Sequence, residues 1–483
     1  IYKINKISKG NTIMELSSKD IRKILNVGLS TGADFAELYY QDKKASTYRL
    51  SHKKVDAVSK NSIKGVGIRL IKNRVVVYGF SSSLEVKDIL KVTKELAENF
   101  TGEQTKFFTI FKDVEHPVYE VKKPHDSMTL EEKLAYLKKA EDAMYAYSNE
   151  VVNASCNLLE EDEFVEIYNT DGKHITDSRV RTRVVFVALA SDGKSFQSGS
   201  TGDGKRAGLE IFDELDPVAL GTEAAKNACE LVHAPDCPSG EMPVILGNGF
   251  GGVLFHEACG HPLEACAISR NLSVFKGKVG QQIASPIVNA YDDGTIDDGY
   301  GSLNVDDEGN LTTRNQLIKD GILVNYMNDM NNSDMMNDHK EYFNDRDYVP
   351  TGSCRRQSYR YEPTTRMTNT FIGNGTSTVD EIIKATEHGL YCVTFTGGQV
   401  NPITGQFNFS AERAYIIENG GIKNLVKGAC LIGYGHEILP LIDMVGNDLK
   451  IAPGMCGASS GSIPVTVGQP TLRVSKMTVA GTK

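Results

Sequence analysis

The sequence predicts an α+β protein, with two N-terminal α+β units followed by a β-rich C-terminal domain. Three observations lead to this prediction. Apolar residues recur at helical spacing in two stretches of the first half, 86–100 and 129–147. Segments rich in β-branched residues, of which 179–189 is the clearest, predict strands in both units. From residue 241 onward, short strand-like segments alternate with Gly, Asn and Asp turns.

The first unit is predicted to span residues 14–105. Its opening helix includes Ile21 and Leu25 and stops near Gly32. Strands are predicted at 65–70 and 74–80, with a turn at Lys72-Asn73, and a helix follows at 86–100. Residues 1–13 lack the apolar region of a secretory signal, and Met14 is a candidate initiator, so we expect them to be vector-derived or a mis-called start.

The second unit is predicted to span residues 125–235, and the third residues 241–483. Thr129 and Glu132 form a capping-box pattern that begins the helix 129–147, and a further helix is predicted at 217–231. In the third unit a buried strand, 243–246, leads through a glycine-rich turn into another helix. Later elements are strands at 323–327, 414–418 and 471–474 and a helix at 381–388.

The helix after the glycine-rich turn contains His256-Glu257-Ala258-Cys259-Gly260-His261. Two imidazoles can bind Zn²⁺ and leave a position for water, and the adjacent carboxylate can accept that water's proton. On a regular α-helix the histidines at i and i+5 would lie about 140° apart. We therefore expect a deformation at Cys259–Pro262, since Gly260 relaxes the backbone and Pro262 disfavours α conformation at His261. The alternative is two helix-terminal histidines engaged only in hydrogen bonds.

Catalytic zinc usually has three protein ligands, and the residues alone leave the third one open. Cys259 could face the same side of the helix as His256. Glu264 and Cys266 are close in sequence, and Cys456, between Gly454 and Gly457, could approach from a flexible loop. The chemistry of the side chains does not favour any one of these four candidates as the third ligand.

Three other patterns compete with the zinc hypothesis. Gly247, Gly249 and Gly252 match a dinucleotide-binding fingerprint, but no second strand ending in an acidic residue follows, so close packing of a helix on a sheet explains them better. The second pattern is a run of acidic residues, which predicts turns with solvated side chains rather than a calcium site. The third is a cluster of arginines. For this cluster, ion pairs with the acidic run are favoured over binding of a peptide substrate. The acids are Asp292, Asp293, Asp297, Asp298, Asp306, Asp307 and Glu308, and the arginines are Arg355, Arg356, Arg360 and Arg366.

Composition narrows the class of protein. The formal charge is −9 and there is no concentrated basic stripe, which argues against nucleic-acid binding. No apolar segment approaches the length of a membrane span. Nine cysteines, an odd number, do not form a disulfide framework, so a reducing cytoplasm is expected.

From about residue 18 to its end the chain resembles the TldD/PmbA family of metalloproteases, on its TldD-like branch. The matching segments are the histidine motif with Glu264, 273–285, 366–370, 397–400, 444–448, Cys456-Gly457 and 467–472. The resemblance implies zinc held by His256, His261 and Cys456, with Glu257 as the acid/base. It also implies unfolded or small peptides as substrates, and a PmbA-like paralogue as partner, with a homodimer as the alternative. One departure is Cys266, where the family commonly has Asp.

The sequence thus predicts a zinc peptidase in which Gly397, Gly398, Gln399 and Val400 pair with an extended substrate. Two alternatives remain: a zinc amidohydrolase acting on small molecules, and a non-catalytic interaction subunit whose metal is structural.

Overall fold

The protein is described from a computed structural model that covers residues 14–107, 110–401 and 403–481. The expectation for residues 1–13 lies outside the described residues. No helix in the described ranges has both the length and the apolar character needed to cross a membrane.

One sheet contains the strands of both N-terminal units. Its members are β1 (Phe35–Ser51), β2 (Lys54–Lys72), β3 (Val75–Ser81), β4 (Lys112–Asp113), β5 (Val151–Asn169), β6 (Lys173–Ser191) and β7 (Phe196–Lys205). They follow the order β3-β2-β1-β5-β6-β4, and β7 also pairs with β6. Strand β1 pairs antiparallel with β5 from Glu37–Asn169 to Ser51–Ser155, so main-chain hydrogen bonds join the two units. The division at 14–105, 125–235 and 241–483 stays a prediction.

Helices cover this sheet in two groups. Leu38 and Ile68 of the sheet share one core with the first helices, and Leu158 and Phe186 share another with the later ones. The predicted capping box is confirmed, because Thr129 Oγ1 accepts from Glu132 N and Glu132 Oε2 accepts from Thr129 N. The helices are α1 (Ser18–Gly28), α2 (Val86–Ala97), α3 (Leu130–Tyr147), α4 (Ile211–Glu214) and α5 (Pro217–Val232).

The C-terminal part contains two larger sheets around one apolar core. The first has the order β11-β10-β9-β14-β21-β20. Its strands are β9 (Ala290–Asp293), β10 (Arg314–Lys319), β11 (Ile322–Leu323), β14 (Asn369–Ile372), β20 (Lys450–Ala458) and β21 (Gly461–Gln469). A separate pair is formed by β12 (Cys354–Arg355) and β13 (Thr364–Thr365).

The second of these sheets has the order β15-β8-β22-β18-β16-β17, and β15 also pairs with β16. Its strands are β8 (Gly240–Leu246), β15 (His388–Asn401), β16 (Gln406–Glu418), β17 (Gly421–Val426), β18 (Cys430–Tyr434), β19 (Ile442–Val445) and β22 (Leu472–Ala480). Short helices connect the strands of this part: α6 (Val253–Phe255), α7 (Ala265–Ile268), α8 (Met330–Asn337), α9 (Val379–Lys384) and α10 (Gly435–Ile438). The α+β fold class, with a β-rich C-terminal part, is confirmed.

Two predicted elements differ from the structure. The strand predicted at 323–327 is limited to Ile322–Leu323, because the next residues bond irregularly: Val324 N donates to Leu317 O and Met327 N donates to Leu263 O. The helix predicted at 381–388 ends at Lys384. His388 instead begins β15, which runs parallel to β8.

The prediction of solvated aspartates is wrong for most of the acidic run. Asp292, Asp293, Asp306, Asp307 and Glu308 are each no more than 4% exposed. Asp306 accepts hydrogen bonds from the main-chain N–H groups of Glu308, Asn310 and Cys354. Buried carboxylates need such partners, which the local sequence did not reveal.

The predicted pairing of the arginine cluster with this run is also largely wrong. Of the four arginines only Arg356 hydrogen-bonds with the run, through its main-chain N–H and its Nη2, both donating to Asp307. Arg355 and Arg366 instead donate to main-chain carbonyls within the C-terminal part. Three of these four carbonyls, those of Pro464, Gly461 and Cys456, are 90 or more residues away in sequence.

A buried ionic network connects the N-terminal sheet to the C-terminal part. Arg69 on β2 forms ion pairs of 2.7 Å with Glu37 on β1 and with Glu308. Glu37 also pairs with Arg356 at 2.9 Å, and Arg179 on β6 pairs with Asp307 at 2.7 Å. These contacts fix the two parts of the molecule against each other.

Candidate metal centre

The histidine motif lies in a helix that changes its winding. A 3-10 turn at Gly249–Gly252 leads into α6, and His256–Gly260 then form a π-helix in which the His261 N–H donates to His256 O. A 3-10 turn, His261–Leu263, ends the segment. One wide π turn brings positions i and i+5 onto the same side. The predicted deformation is confirmed, although it begins at His256 rather than at Cys259.

Glycines allow this helix to lie close to its neighbours. An added Cβ at Gly252 would lie 2.4 Å from Gly468 O, which supports the packing explanation of the glycine-rich turn. Gly260 has ordinary helical angles, φ −56° and ψ −59°. It is required for space, because an added Cβ would lie 2.2 Å from Met367 Sδ. The predicted role of Gly260 in relaxing the backbone is therefore wrong.

The fold brings His256, His261 and Cys456 together. One donor atom from each of the three side chains lies within 4.8 Å of the other two. Cys456 Sγ is 3.2 Å from His261 Nε2, and the two imidazole centroids are 5.2 Å apart. Cys456 is on β20, and the histidines are on the π-helix and at its end.

The electrostatics of the cluster favour a thiolate. Burial raises the pKa of Cys456, but His256 and His261 outweigh it and bring this pKa to about 3. Burial lowers the pKa of His261, whereas Glu264 and Cys456 raise it, and the net pKa lies well above the ordinary value. A thiolate is the form of cysteine that binds metals. The donor set fits a metal ion, because two imidazoles and one thiolate each place a donor atom within 4.8 Å of the others. His256 Nδ1 is also buried without a hydrogen-bond partner among the described residues.

The other candidates for a third ligand do not belong to this group of donors. Cys259 is fully buried in the apolar core, where burial raises its pKa. Cys266 Sγ donates to Thr365 O, and burial raises its pKa to about 12. Glu264 Oε2 lies 3.1 Å from His261 Nδ1, so it can hold that imidazole in one orientation.

Glu257 is a partly exposed acidic group beside the cluster. Its side chain is 21% exposed, and its Oε2 lies 3.7 Å from His261 Nε2. Gly397–Val400 are on β15, where they pair with Phe407–Ser410 of β16. The hairpin between these strands approaches the motif helix, since an added Cβ at Gly405 would be 4.0 Å from Ala258 O.

Sequence reasoning missed the place of Arg366 at this centre. Its Nη2 donates to Cys456 O at 2.6 Å, and its Nε is 4.0 Å from Glu264 Oε1. The sequence placed Arg366 only within a basic cluster. Nothing in the local pattern distinguishes it from Arg355, which also binds carbonyl groups.

Three family models together match most of the chain. Residues 239–481 match the PmbA/TldA metallopeptidase C-terminal domain, which is half of the protein. Residues 123–232 match the central domain of the same metallopeptidases, and residues 36–100 match their domain 1. The chain belongs to the PmbA/TldD metallopeptidase family. The resemblance in the sequence motifs is thereby confirmed.

Relatives from several organisms match this PmbA/TldD chain over its length. The "Metalloprotease TldD homolog" of Haemophilus influenzae is 35% identical, covering 99% of this chain and 100% of that protein. Its namesake from Buchnera aphidicola (Acyrthosiphon pisum) is 32% identical, covering 97% of each. A "Zinc metalloprotease TldD homolog" of Saccharolobus solfataricus is 26% identical, covering 93% of this chain and 97% of that one.

A solved structure has the same fold as this PmbA/TldD chain. TldE from Thermococcus kodakarensis superposes with a TM-score of 0.74 at 18% identity, covering 96% of this chain and all of that one. The likeness supports the architecture described above.

Proposed function

We propose that this chain is a zinc-dependent peptidase that hydrolyses peptide bonds in unfolded polypeptides or small peptides. The observation that carries the proposal is the cluster of His256, His261 and Cys456 with the Glu257 carboxylate beside it. Two imidazoles and one thiolate form a donor set typical of zinc. The relatives named as metalloproteases support the same chemistry.

His256, His261 and Cys456 would hold the metal. Zinc bound there supplies Lewis acidity, which lowers the pKa of a water molecule and polarises the scissile carbonyl. Glu264 keeps His261 oriented by contacting Nδ1, so that Nε2 stays directed toward Cys456. A zinc ion held by these three side chains would keep a coordination position for water or substrate, since the group contains no further His, Cys, Asp or Glu donor among the described residues.

Glu257 is the general acid/base of the proposed hydrolysis. Its partly exposed carboxylate accepts a proton from the attacking water at Oε and delivers it to the leaving amine. The side chain belongs to the same helix as the two histidines, which fixes its distance from the cluster.

The substrate is proposed to bind as an extended strand beside Gly397, Gly398, Gln399 and Val400. Within 388–401, all of which the structure describes, β8 pairs with β15 only at Leu390–Cys392. Residues 397–400 therefore have a strand neighbour on one side and an open edge on the other, which suits β-addition. A substrate whose main-chain amides are N-methylated should be cleaved much more slowly than the parent peptide. Equal cleavage of the two would contradict this binding mode.

A PmbA-like paralogue is the proposed partner, with a homodimer as the alternative. The family relationship supports this proposal, and mass measurement of the chain alone and after co-expression with such a paralogue would test it. A cytoplasmic location is proposed as well. Its support is that all nine cysteines are free thiols, as expected in a reducing compartment.

The experiment that tests the zinc assignment is elemental analysis after a mild chelator challenge. Wild type should carry close to one zinc per chain and Cys456→Ser should lose it readily. Cys259→Ala is the matched control, because Cys259 is buried nearby without belonging to the cluster. Absence of zinc from wild type, or equal retention by Cys456→Ser, would contradict the proposal.

A peptide assay separates the proposed activity from its alternatives. Cleavage of an internal bond in a long unfolded peptide indicates a peptidase rather than an amidohydrolase of small molecules. A zinc-loaded protein that is inactive with and without the paralogue would favour the interaction subunit with a structural metal.

A further inference from the structure

Arg366 lies at the centre of the contacts around the cluster. It follows β13 and precedes β14, and its side chain is completely buried. Burying a guanidinium is costly unless its donors find partners, so the direction of each donor shows what the residue holds.

Two of its nitrogens hold the hairpin that carries Cys456. Nη2 donates to the carbonyl of Cys456 itself at 2.6 Å. Nη1 donates to Ser460 Oγ at 2.8 Å and to Gly461 O at 2.9 Å, at the turn between β20 and β21. These contacts fix the main chain of the residue whose thiolate joins the cluster.

The third nitrogen faces the other side of the cluster. Arg366 Nε is 4.0 Å from Glu264 Oε1, and both atoms are buried without a hydrogen-bond partner among the described residues. The second oxygen of Glu264 contacts His261 Nδ1 at 3.1 Å. One guanidinium thus contacts the segment of Cys456 directly and reaches His261 through one carboxylate.

We propose that Arg366 is a positioning residue that sets the distance between Cys456 and His261. This proposal rests on the zinc site proposed above. The guanidinium connects two segments that approach each other only in the folded protein, a hairpin of one sheet and the end of the motif helix. Groups that orient metal ligands typically change metal affinity about 10–100-fold when they are altered.

Arg355 offers a matched control. It is 3% exposed and donates from Nη1 to Met367 O and from Nη2 to Pro464 O, each at 2.6 Å. It therefore satisfies buried carbonyls as Arg366 does, but without contacting Glu264 or the carbonyl of Cys456. Arg355→Lys measures the general effect of losing a buried guanidinium, and Arg366→Lys adds the loss of the contacts at the cluster.

The test compares zinc affinity by chelator competition and the absorption bands of the Co²⁺-substituted protein, whose thiolate-to-cobalt and d–d transitions report ligand geometry. Arg366→Lys should bind zinc about 10–100-fold more weakly and show shifted cobalt bands. Arg355→Lys should keep the zinc affinity and the cobalt absorption bands of wild type, even if its melting temperature is lower. Glu264→Gln should weaken zinc binding too, and its effect should be less than additive with that of Arg366→Lys.

A gentler pair of variants covers the case in which Arg366→Lys does not fold. Ser460→Ala removes one partner of Nη1 and should weaken zinc binding by roughly 2–10-fold. Ser462→Ala, at an exposed position on the same hairpin, should leave it unchanged. Equal zinc affinity and equal cobalt spectra for Arg366→Lys and Arg355→Lys, or for Ser460→Ala and wild type, would overturn the proposal. Failure of wild type to bind zinc would instead refute the proposed function.

Discussion

At the scale of one residue, Glu257 is proposed to transfer a proton during hydrolysis and not to bind the metal. Its substitution should therefore change turnover without changing zinc content. Glu257→Gln keeps the size of the side chain but removes the proton acceptor. Turnover of an unfolded peptide should fall by about 10²–10⁴-fold. Zinc content should stay at the wild-type level, since the three ligands are unchanged. Unchanged cleavage would remove Glu257 from the mechanism, and loss of zinc would show that it supports the metal instead.

Gly260 gives a second prediction at this scale. Gly260→Ala places a methyl group against Met367 Sδ, so we expect a loss of about 1–3 kcal/mol in the free energy of unfolding. Gly457→Ala, beside Cys456, is the control, because nothing lies within 4 Å of its added Cβ. Denaturant unfolding of both variants checks the comparison. Adding Met367→Ala to Gly260→Ala should make the combined loss smaller than the sum of the two single losses.

At the scale of elements, we expect the contact of β4 with the neighbouring strands β5 and β6 to depend on pH, because His174 on β6 lies between acidic residues of β4 and β5. Its Nδ1 contacts Asp113 on β4, and its Nε2 lies 3.0 Å from Glu166 on β5. Burial lowers the pKa of His174, but the hydrogen bonds to Glu166 and Asp113 outweigh it, and the net pKa is raised.

A histidine whose pKa is raised by folding stabilises the protein when it is protonated. This contribution is complete below the unfolded pKa of about 6.5 and is lost as the pH rises through the folded pKa. His174→Gln should therefore be less stable than wild type at low pH, with a difference that shrinks as the pH increases. Urea unfolding at several pH values measures it. A difference independent of pH would show that the ion pairs do not contribute.

The same scale shows how far the sequence predicts this structure. Local signals sufficed for α3, whose capping box and apolar spacing lie within the helix itself. They also predicted that the motif helix is deformed, because the i and i+5 histidines and Pro262 are in one segment, but they did not predict where the deformation begins. They failed where the deciding partner is remote: the partner of Gly260 is Met367, and that of Glu308 is Arg69.

In the candidate site, too, the residues that are close together in sequence could be predicted, whereas the residue that is remote in sequence could not. The two histidines and Glu257 could be proposed from one hexapeptide. The third ligand could not, since Cys259, Glu264 and Cys266 are nearer in sequence than Cys456 and only the resemblance to the family selected it. The folded chain brings Cys456 to the histidines through the hairpin of β20 and β21, a pairing that spacing along the chain does not encode.

At the scale of the whole molecule, the N-terminal sheet is joined to the C-terminal part by ion pairs of two kinds. Glu37 is 1% exposed and lies between Arg69 and Arg356, both also buried. Arg74, at the turn after β2, pairs with Asp334 and Asp338 of the C-terminal part, but its side chain is 39% exposed. Arg356 of the first set, like Asp334 and Asp338 of the second, belongs to the C-terminal part, whereas the Glu37–Arg69 pair lies within the N-terminal sheet. Both sets therefore include pairs across the same boundary, and they differ in burial.

This difference predicts unequal effects of removing one partner from each set. Glu37→Ala leaves two buried guanidinium groups short of an anion and should lower the free energy of unfolding by about 3–5 kcal/mol. Arg74→Ala breaks pairs that water can replace and should lower it by about 1 kcal/mol or less. Because the chain has no Trp, far-UV circular dichroism in denaturant is the suitable measurement. Similar losses in the two variants would mean that the buried network does not hold the two parts together, and that the surrounding apolar contacts do so instead.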